Sequence, residues 1–513
     1  METDEAADDV ATLHAMGYAQ ELARNMGRFS NFAISFSVIC ILSGGVNSLA
    51  QATSGAGGAA LGLGWPIGGA CALLFALGMA QIASAYPTAG GLYHWSSILG
   101  GRFWGWLTAW FNLIGLITVL SAINVGTFGF FVGAFGQVLH ISAGYWPQLA
   151  FMIVLTGLQG LVNHLGIKLT SRLTDLSGYL ILAGAVILTA VLLVCAPSHH
   201  IERLWTFANY SGEAGGGVWP KTGSIFMLLM LGLLLPVYTL TGYDASAHTA
   251  EETVDASRNV PRGIIHAVIW ASVFAWILSC AFVIAIPDMK EAAHQGWNVF
   301  FWVMDSVVPT PLKLALYAVV FVAQLLAGLA TVTSVSRMIF AFARDDGLPA
   351  SSLFKKVSPR FRTPVAAIWV GVALAVGFTV YADAYSTVVS VTSIVLYLSY
   401  AMPIAAGLLA YARSWTQMGP WDMGPAYRVV AGLCVAISLG IFYVGVQPPN
   451  GQALIVLLAI FAITGALWLL SERRRFKGPP LGREIARRRA DIASAELAFA
   501  AAADLGPETP PLG

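Results

Sequence analysis

The chain has 513 residues, of which 57% are hydrophobic and only 10% charged, and its mean hydropathy is +0.73. Soluble domains carry about 25% charged residues, so this composition excludes a soluble protein and is typical of a polytopic membrane protein. The net charge of +1 gives no reason to expect a nucleic acid partner. The five cysteines lie in or at the ends of apolar runs without metal-ligand spacing, which predicts small buried side chains rather than a disulfide framework or a metal site.

Twelve apolar runs follow one another along the chain, each about as long as, or longer than, the ~20 residues needed to cross a ~30 Å hydrocarbon core. Spans 1–5 lie near 31–54, 64–86, 102–136, 147–165 and 174–196. Spans 6–10 lie near 222–250, 263–287, 311–343, 364–382 and 386–411, and spans 11 and 12 near 429–447 and 453–471. The sequence therefore predicts an all-α polytopic membrane protein with twelve transmembrane helices, grouped as five, five and two.

This grouping divides the chain into six segments. They are an N-terminal tail (1–28), a first set of five spans (29–196), an external loop (197–221), a second set of five spans (222–411), the last two spans (412–471) and a C-terminal tail (472–513). The tail is basic at first and ends in a Pro-rich stretch, which predicts a surface helix over 480–500 followed by disorder.

Lysine and arginine are distributed unevenly between the two sides that twelve spans define. All but four of the 27 fall on the side of the N-terminus; the exceptions are Arg203, Lys221, Lys290 and Lys313. Basic residues accumulate in cytoplasmic loops. We therefore expect both termini to be cytoplasmic, in a multi-pass protein of the plasma or inner membrane whose partner is the lipid bilayer.

A polar interruption at 240–246 divides span 6, with Gly242 and Asp244 at its centre. An ionised acid at bilayer depth costs several kcal/mol, so such acids face a cavity or a partner. The segment 42–48 in span 1 shares a Leu, a hydroxyl residue, a Gly and a Ser with it at the same offsets. Interrupted helices at matching places in two halves indicate a transporter with inverted repeats and a midplane site. Five spans per set would place the two halves in opposite orientations.

Three separated stretches resemble motifs of one family. Residues 242–264, with Gly-Tyr-Asp and a later Glu before Asn-Val-Pro-Arg, are similar to the sixth helix of amino acid–polyamine–organocation permeases. Residues 86–95 (Tyr-Pro-Thr-Ala-Gly-Gly-Leu-Tyr-His-Trp) and 336–349 resemble two further motifs of that superfamily. The variants look most like its amino acid/choline branch, which includes fungal GABA permeases. The resemblance implies a LeuT-type fold of two inverted five-helix repeats, with helices 1 and 6 discontinuous, plus two C-terminal helices.

The resemblance also implies site residues. A substrate carboxylate would meet backbone N–H groups in the first break, and the amine would face carbonyls and an acid in the second, where an aromatic lid is also expected. The implied substrate-binding residues are Ser43, Gly44, Gly45, Tyr238, Thr241, Gly242 and Asp244. Gating or coupling is implied for Asp244, Glu251 and Arg258, within a charge cluster that pairs in the inward-closed state.

Each assignment has a structural alternative. Glycines are common at close helix contacts. The alternative for Asp244 is a structural acid hydrogen-bonded to neighbouring backbone, and the alternative for the charge cluster is a solvated loop. Histidines near helix ends, such as His94 and His248, are interpreted as hydrogen-bonded side chains without a functional role.

These patterns predict a secondary active transporter that imports an amino acid or related small amine such as GABA by alternating access. Proton symport is the first expectation and exchange the second. Span 5 lacks the lysine of some proton-coupled relatives, and Leu326–Ala327 lacks the hydroxyl pair of sodium-coupled ones, so these residues leave the coupling ion open. A choline or polyamine transporter, or a non-transporting membrane sensor, remains open. With no nucleotide-binding loop and no clustered His or acidic groups, neither an enzyme nor a cofactor is expected.

Overall fold

The computed structural model describes residues 2–47, 49–212, 218–381, 385–448, 450–480 and 482–504. Within these ranges the regular structure is helical, apart from two isolated β-bridges. The expectations for Ser48 in the first break, for 213–217 in the external loop and for the Pro-rich end after 504 lie outside the described residues.

The helices follow the predicted spans, with short additional helices between them. The first ten are α1 (Glu2–Ala15), α2 (Arg28–Ile39), α3 (Gly44–Asn47), α4 (Leu49–Thr53), α5 (Gly58–Gly62), α6 (Gly64–Ala85), α7 (Leu92–Gly100), α8 (Arg102–Leu139), α9 (Tyr145–His164) and α10 (Ile167–Cys195). The others are α11 (Ile225–Gly232), α12 (Leu234–Thr239), α13 (Ala245–His248), α14 (Ala256–Ala285), α15 (Met289–Gln295), α16 (Val299–Val307), α17 (Thr310–Arg344), α18 (Ser351–Phe354), α19 (Val365–Tyr381), α20 (Tyr385–Ala410), α21 (Ala426–Gly445), α22 (Gly451–Leu467), α23 (Arg473–Arg475) and α24 (Arg483–Asp504).

Ten helical segments among the described residues are long and apolar enough to cross a membrane, and two shorter apolar ones, Ile225–Thr239 and Val365–Thr379, accompany them. Each coincides with one predicted span. The two shorter segments fall in spans 6 and 9. The chain is therefore a multi-pass helical membrane protein.

Spans 1 and 6 are both interrupted where the sequence places the glycines. In span 1, α2 ends at Ile39 and α3 begins at Gly44; in span 6, α12 ends at Thr239 and α13 begins at Ala245. Gly242 has φ +91°, and a Cβ there would lie 2.2 Å from Cγ1 of Val38. Only glycine satisfies both that backbone conformation and that approach, so this residue lets the two breaks pass close together.

Helices at the same position in the two sets pack on one another. The α6–α14, α8–α17 and α9–α19 pairs correspond to spans 2 and 7, 3 and 8, and 4 and 9. The contact of α2 with α10 in the first set likewise has a counterpart in that of α12 with α20 in the second. A continuous apolar core, which includes Trp65, Phe75 and Phe282, fills the space around the breaks.

A buried network of side-chain amides connects α8, α9 and α17. Asn124 donates to the Thr156 hydroxyl at 3.0 Å and to Oε1 of Gln159 at 2.8 Å, and Gln159 donates to the Leu325 carbonyl at 3.0 Å. Gly328 makes room for both amides, because a Cβ there would lie 2.2 Å from Nε2 of Gln159. Buried amides that satisfy one another avoid the penalty of unpaired polar groups in an apolar medium, so this part of the bundle forms a fixed scaffold.

Candidate functional site

The residues implied for substrate binding lie together in the interior of the bundle. A Cβ on Gly44 would lie 2.7 Å from Oγ1 of Thr239, so the two breaks touch. The side chains of Ser43, Tyr238, Thr241 and Asp244 are each less than 5% exposed. Gly44 and Gly242 are buried, and Gly45 is half-buried. The structure thus brings all seven residues to one region that solvent does not reach.

The space beside the first break is nearly filled. A cavity of about 10 Å³ lies between Gly45, Leu49, Trp65 and Phe282. A water molecule needs roughly that volume, so the cavity has no room for an amino acid.

The Asp244 carboxylate is completely buried and has three side-chain partners from three helices. Asn112 of α8 donates to Oδ2 at 2.9 Å, and the Tyr400 hydroxyl of α20 donates to Oδ1 at 2.9 Å. His248, one helical turn after Asp244, places Nε2 3.2 Å from Oδ2. The Tyr400 hydroxyl also accepts the Gly242 N–H at 3.0 Å, which connects the acid to the break itself. These contacts fix the carboxylate between the broken helix and the facing wall.

The other nitrogen of His248 determines how many protons this pair holds. Nδ1 lies 3.1 Å from the Ala89 carbonyl, which only accepts, so Nδ1 carries a hydrogen. The contact between Nε2 and the carboxylate then requires one further proton, located on either His248 or Asp244. Asp244 and His248 are therefore joined by a buried hydrogen bond, and His248 is held at its other nitrogen by the Ala89 carbonyl.

The backbone of the breaks is partly occupied by local turns. The amides of Ser43 and Gly44 donate to the Cys40 carbonyl at 2.7 and 3.2 Å, and the Tyr238 carbonyl accepts the Thr241 hydroxyl at 2.8 Å. A ligand that binds these groups must therefore compete with hydrogen bonds inside each break.

Four charged side chains close the end of the bundle on which α1 and α24 lie, which we call the α1–α24 end. Arg344 donates to both carboxylate oxygens of Glu251 at 2.7 and 2.9 Å, and Arg337 to both oxygens of Glu252 at 2.8 and 2.9 Å. Both carboxylates are fully buried. We call Glu251, Glu252, Arg337 and Arg344 the ion-pair seal. Arg258 lies outside it, 56% exposed and 3.7 Å from Asp255.

The N-terminal segment covers the seal. The amides of Asn25 and Met26 donate to the Glu252 carbonyl at 3.0 and 2.8 Å, and the Arg24 guanidinium donates to the Thr253 carbonyl. Asp9 accepts hydrogen bonds at 2.7 and 3.0 Å from the two amides at the start of α14. The pKa of Asp9 is nevertheless raised, because burial outweighs the opposing charge of Arg24.

Helix α24 packs against the same segment. Glu496 lies 2.7 Å from Nε2 of His14 and accepts the Gln20 amide at 2.9 Å, and Arg488 lies 3.7 Å from Asp345. Burial opposes the ionisation of Asp345, but the hydrogen bond and charge of His94 outweigh it, so the pKa of this carboxyl is lowered. The N-terminal segment thus contacts the ion-pair seal directly, and α24 contacts that segment and Asp345, the residue that follows Arg344.

Hydrogen bonds to backbone carbonyls, rather than buried ion pairs like those of the seal, close the opposite end of the bundle, which we call the neutral end. Its two indole contacts are neutral, whereas one further donor, the Arg203 guanidinium, is charged and bonds the Ile286 and Pro287 carbonyls. The indole N–H of Trp219 donates to the Gln51 carbonyl at 2.7 Å, and that of Trp276 to the Gly62 carbonyl at 2.8 Å. The external loop lies over α4 and α5 with further backbone hydrogen bonds. With both ends closed, the breaks are shielded from solvent on either side.

Comparison with known proteins identifies the family of this chain. A family model described as amino acid permease matches residues 26–468. The chain belongs to this family. The amino-acid permease BAT1 of Arabidopsis thaliana is 32% identical over 91% of this chain and 95% of its own length. A homologue of it from Oryza sativa is 31% identical with the same coverage, and the GABA-specific permease of Saccharomyces cerevisiae is 25% identical over 92% of this chain and 86% of its own. The family resemblance inferred from the three motifs is confirmed.

Several residues of the permease's site were not predicted as such. Asn112 and Tyr400 come from spans 3 and 10, so their contact with Asp244 depends on tertiary packing. His248 was interpreted as a hydrogen-bonded histidine without a functional role, although the spacing of four from Asp244 places both on one helix face and could have indicated the pair. Among the described residues, no group of three His, Cys or acidic side chains could hold a metal.

Proposed function

We propose that this permease is a secondary active transporter that imports an amino acid by alternating access, coupled to protons, with GABA as the first candidate substrate. Family membership supports amino acid transport, and a relative that bears the name GABA-specific permease motivates the candidate. The uneven distribution of Lys and Arg supports a cytoplasmic position for both termini in the plasma or inner membrane.

The helix pairs support a LeuT-type arrangement of two inverted five-helix repeats, followed by spans 11 and 12. Two sets related by a twofold axis should pack equivalent helices near that axis, and the α6–α14, α8–α17 and α9–α19 contacts meet this expectation. The two interrupted spans occupy equivalent positions in the sets. In this arrangement α2–α4 and α11–α13 move relative to the scaffold of α8, α9 and α17.

The substrate would lie between the two breaks. We assign its carboxylate to the backbone around Ser43, Gly44 and Gly45, because the start of a half-helix offers N–H donors and a positive dipole end. Its amine would face the carbonyls between Tyr238 and Thr241, with Tyr238 as the lid. Opening of either end must make room between the breaks, since Gly44 and Thr239 are already in contact there.

The Asp244–His248 pair is the observation that carries proton coupling. The coupling proton that we assign to this pair would lie at the break, where Asn112 of α8 and Tyr400 of α20 bond the Asp244 carboxylate. Loss of that proton would leave Nε2 of His248 and Oδ2 facing each other as two acceptors, which repel. Deprotonation would thus weaken the attachment of the broken helix to the facing wall and favour its movement.

The ion-pair seal would act as the cytoplasmic gate. Glu251 takes part through Arg344, whereas Arg258, exposed beside Asp255, has no contact with the seal in this state. We assign the structure to a state closed towards the cytoplasm, with the site reached from outside after the neutral contacts part.

The proposal is tested by uptake of labelled GABA, other amino acids and choline into sealed proteoliposomes. An inward proton gradient is compared with a sodium gradient and with no gradient. We expect accumulation that requires the proton gradient. In Asp244→Asn and His248→Gln we expect the gradient to lose its effect while counterflow of substrate, which needs no driving force, continues. His140→Gln, an exposed histidine at a helix end, is the matched control.

Three outcomes would contradict parts of the proposal. Saturable binding without uptake under any gradient, and without counterflow, would identify a sensor. Accumulation driven by the sodium gradient would show that sodium, and not the proton, is the coupling ion. Proton-driven uptake that both variants retain would return Asp244 and His248 to structural roles.

A further inference from the structure

A cavity of about 560 Å³ opens on the outer surface of the bundle, between α2, α10 and α14. Arg28, Arg262 and His266 surround the part of the cavity nearest the α1–α24 end, and Phe29, Trp270 and Phe274 line the remainder. It is separate from the substrate region, which lies on the inner side of α2. We call this cavity the arginine groove.

The guanidinium groups of the groove lack an acidic partner among the described residues. Within the described residues, neither Arg28 nor Arg262 has a carboxylate within ion-pair distance, and both side chains are exposed. The nearest acid in sequence, Asp255, lies beside Arg258 instead. Two neighbouring unpaired guanidinium groups favour an anion, and their planar donor geometry suits a phosphate.

The apolar part of the groove extends far below these charges. Arg262, His266, Trp270 and Phe274 follow one another at intervals of four residues and therefore line one face of α14. Twelve residues of helix span about 18 Å, close to the ~15 Å depth of one leaflet's hydrocarbon. Trp270 is 48% exposed within the groove, and Phe29 stacks on Tyr179 of α10 at a centroid distance of 4.7 Å. The apolar face is thus long enough for an extended acyl chain whose phosphate lies at the two arginines.

We propose that the arginine groove binds one anionic phospholipid in the leaflet at the α1–α24 end, with the phosphate at Arg28 and Arg262 and an acyl chain along Phe29, Trp270 and Phe274. Basic pockets between transmembrane helices suit such headgroups. A free phosphate uses the charges but not the aromatic surface below them. Residues of α2 form one wall of the groove, and α2 is part of the interrupted span 1. The bound lipid would therefore stabilise the position that span 1 has in the closed state.

Native mass spectrometry of the full-length permease, in micelles containing equimolar phosphatidylglycerol and phosphatidylcholine, tests this proposal. We expect the protein to retain phosphatidylglycerol preferentially. Arg28→Gln/Arg262→Gln should lower that preference about fivefold for each charge removed. Arg360→Gln/Arg413→Gln removes two exposed arginines from the same end and should leave it unchanged.

A second measurement locates the lipid and does not depend on the charge variants. Phosphatidylglycerol with brominated acyl chains should quench the fluorescence of Trp270, obtained as the difference between the native protein and Trp270→Phe. Glycerol phosphate at equal concentration should not displace it, since it lacks acyl chains. Equal retention of both lipids, an equal loss in the control variant, no quenching of Trp270, or displacement by glycerol phosphate would overturn the proposal.

Discussion

At the α1–α24 end, two carboxylates and two guanidinium groups meet in buried bidentate pairs, whereas at the opposite end Trp219 and Trp276 donate to backbone carbonyls and no charge takes part in those contacts. Both arrangements exclude water from the breaks. They differ in what happens when they part: separated charges must be rehydrated, while indoles and carbonyls are exchanged for water at little net cost.

This difference indicates which end of the bundle has the more precisely defined closed geometry. A buried ion pair adds little net stability over an apolar pair of similar volume, yet loss of one partner is costly. The seal therefore defines one closed geometry, because a misaligned pair would leave a buried charge unsatisfied. The neutral end tolerates partial opening, which suits the side from which substrate is proposed to enter.

The largest effect should come from breaking one buried pair. Arg337→Met leaves the Glu252 carboxylate buried without its partner, so we expect a loss of about 3–5 kcal/mol in the free energy of unfolding. The double variant Arg337→Met/Glu252→Met should recover most of that loss. Thermal unfolding in detergent measures both, and a double variant no more stable than Arg337→Met would contradict the account.

A smaller effect, on conformation, is expected from the other pair. Glu251→Gln removes the charge that holds Arg344 and should raise the alkylation rate of Cys40 about tenfold or more, since hydrogen bonds to charged groups contribute about 1.5–3 kcal/mol each. Cys40 is fully buried at the first break and is made the sole cysteine by replacing the other four. Arg258→Gln, outside the seal, is the control and should label like the parent protein.

Removal of α24 should act in the same direction but more weakly. A chain that ends at Gly482 loses the His14–Glu496 and Arg488–Asp345 pairs, which are partly exposed and contribute about 0–1 kcal/mol each. We expect Cys40 labelling to rise about two- to fivefold. If the truncated permease labels at the unchanged rate, α24 does not support the seal.

The smallest effect on Cys40 labelling should come from a change at the neutral end. Trp219→Phe keeps an aromatic ring but removes the hydrogen bond to the Gln51 carbonyl, which should cost about 1 kcal/mol of stability. Cys40 alkylation by an impermeant reagent applied from the α1–α24 side should not change. A rise as large as that in Glu251→Gln would show that the two ends are not distinct.

The sequence predicted those parts of the fold that local composition determines. Twelve apolar runs indicated the spans, and a glycine within an apolar run indicated each break. At Gly242 the reason is visible, because its positive φ is a backbone conformation that residues with a side chain rarely adopt. The residues between spans 7 and 8, where no span was predicted, contain α15 and α16, with Phe300 and Met304 buried. Asp288, which accepts the amides of Lys290 and Glu291 at the start of α15, was the missed capping residue.

The partners within the site could not be derived in the same way. Glu251 was expected in a closing cluster, but its partner Arg344 lies 93 residues further on, and the choice of Arg344 over nearby Arg258 depends on how α17 packs. Asn112 and Tyr400 reach Asp244 from helices in different sets. Such contacts follow from tertiary packing, which periodicity and spacing do not specify.

The most direct test of the seal is a distance distribution across the α1–α24 end, measured by double electron–electron resonance. Spin labels at Asn25→Cys and Lys356→Cys, both exposed positions, would report on the N-terminal segment and the loop after α17 in a background free of other cysteines. The account predicts one narrow distance for the intact seal and an additional longer population in Glu251→Gln. An identical narrow distribution in both proteins would contradict the claim that the buried ion pairs hold this end closed.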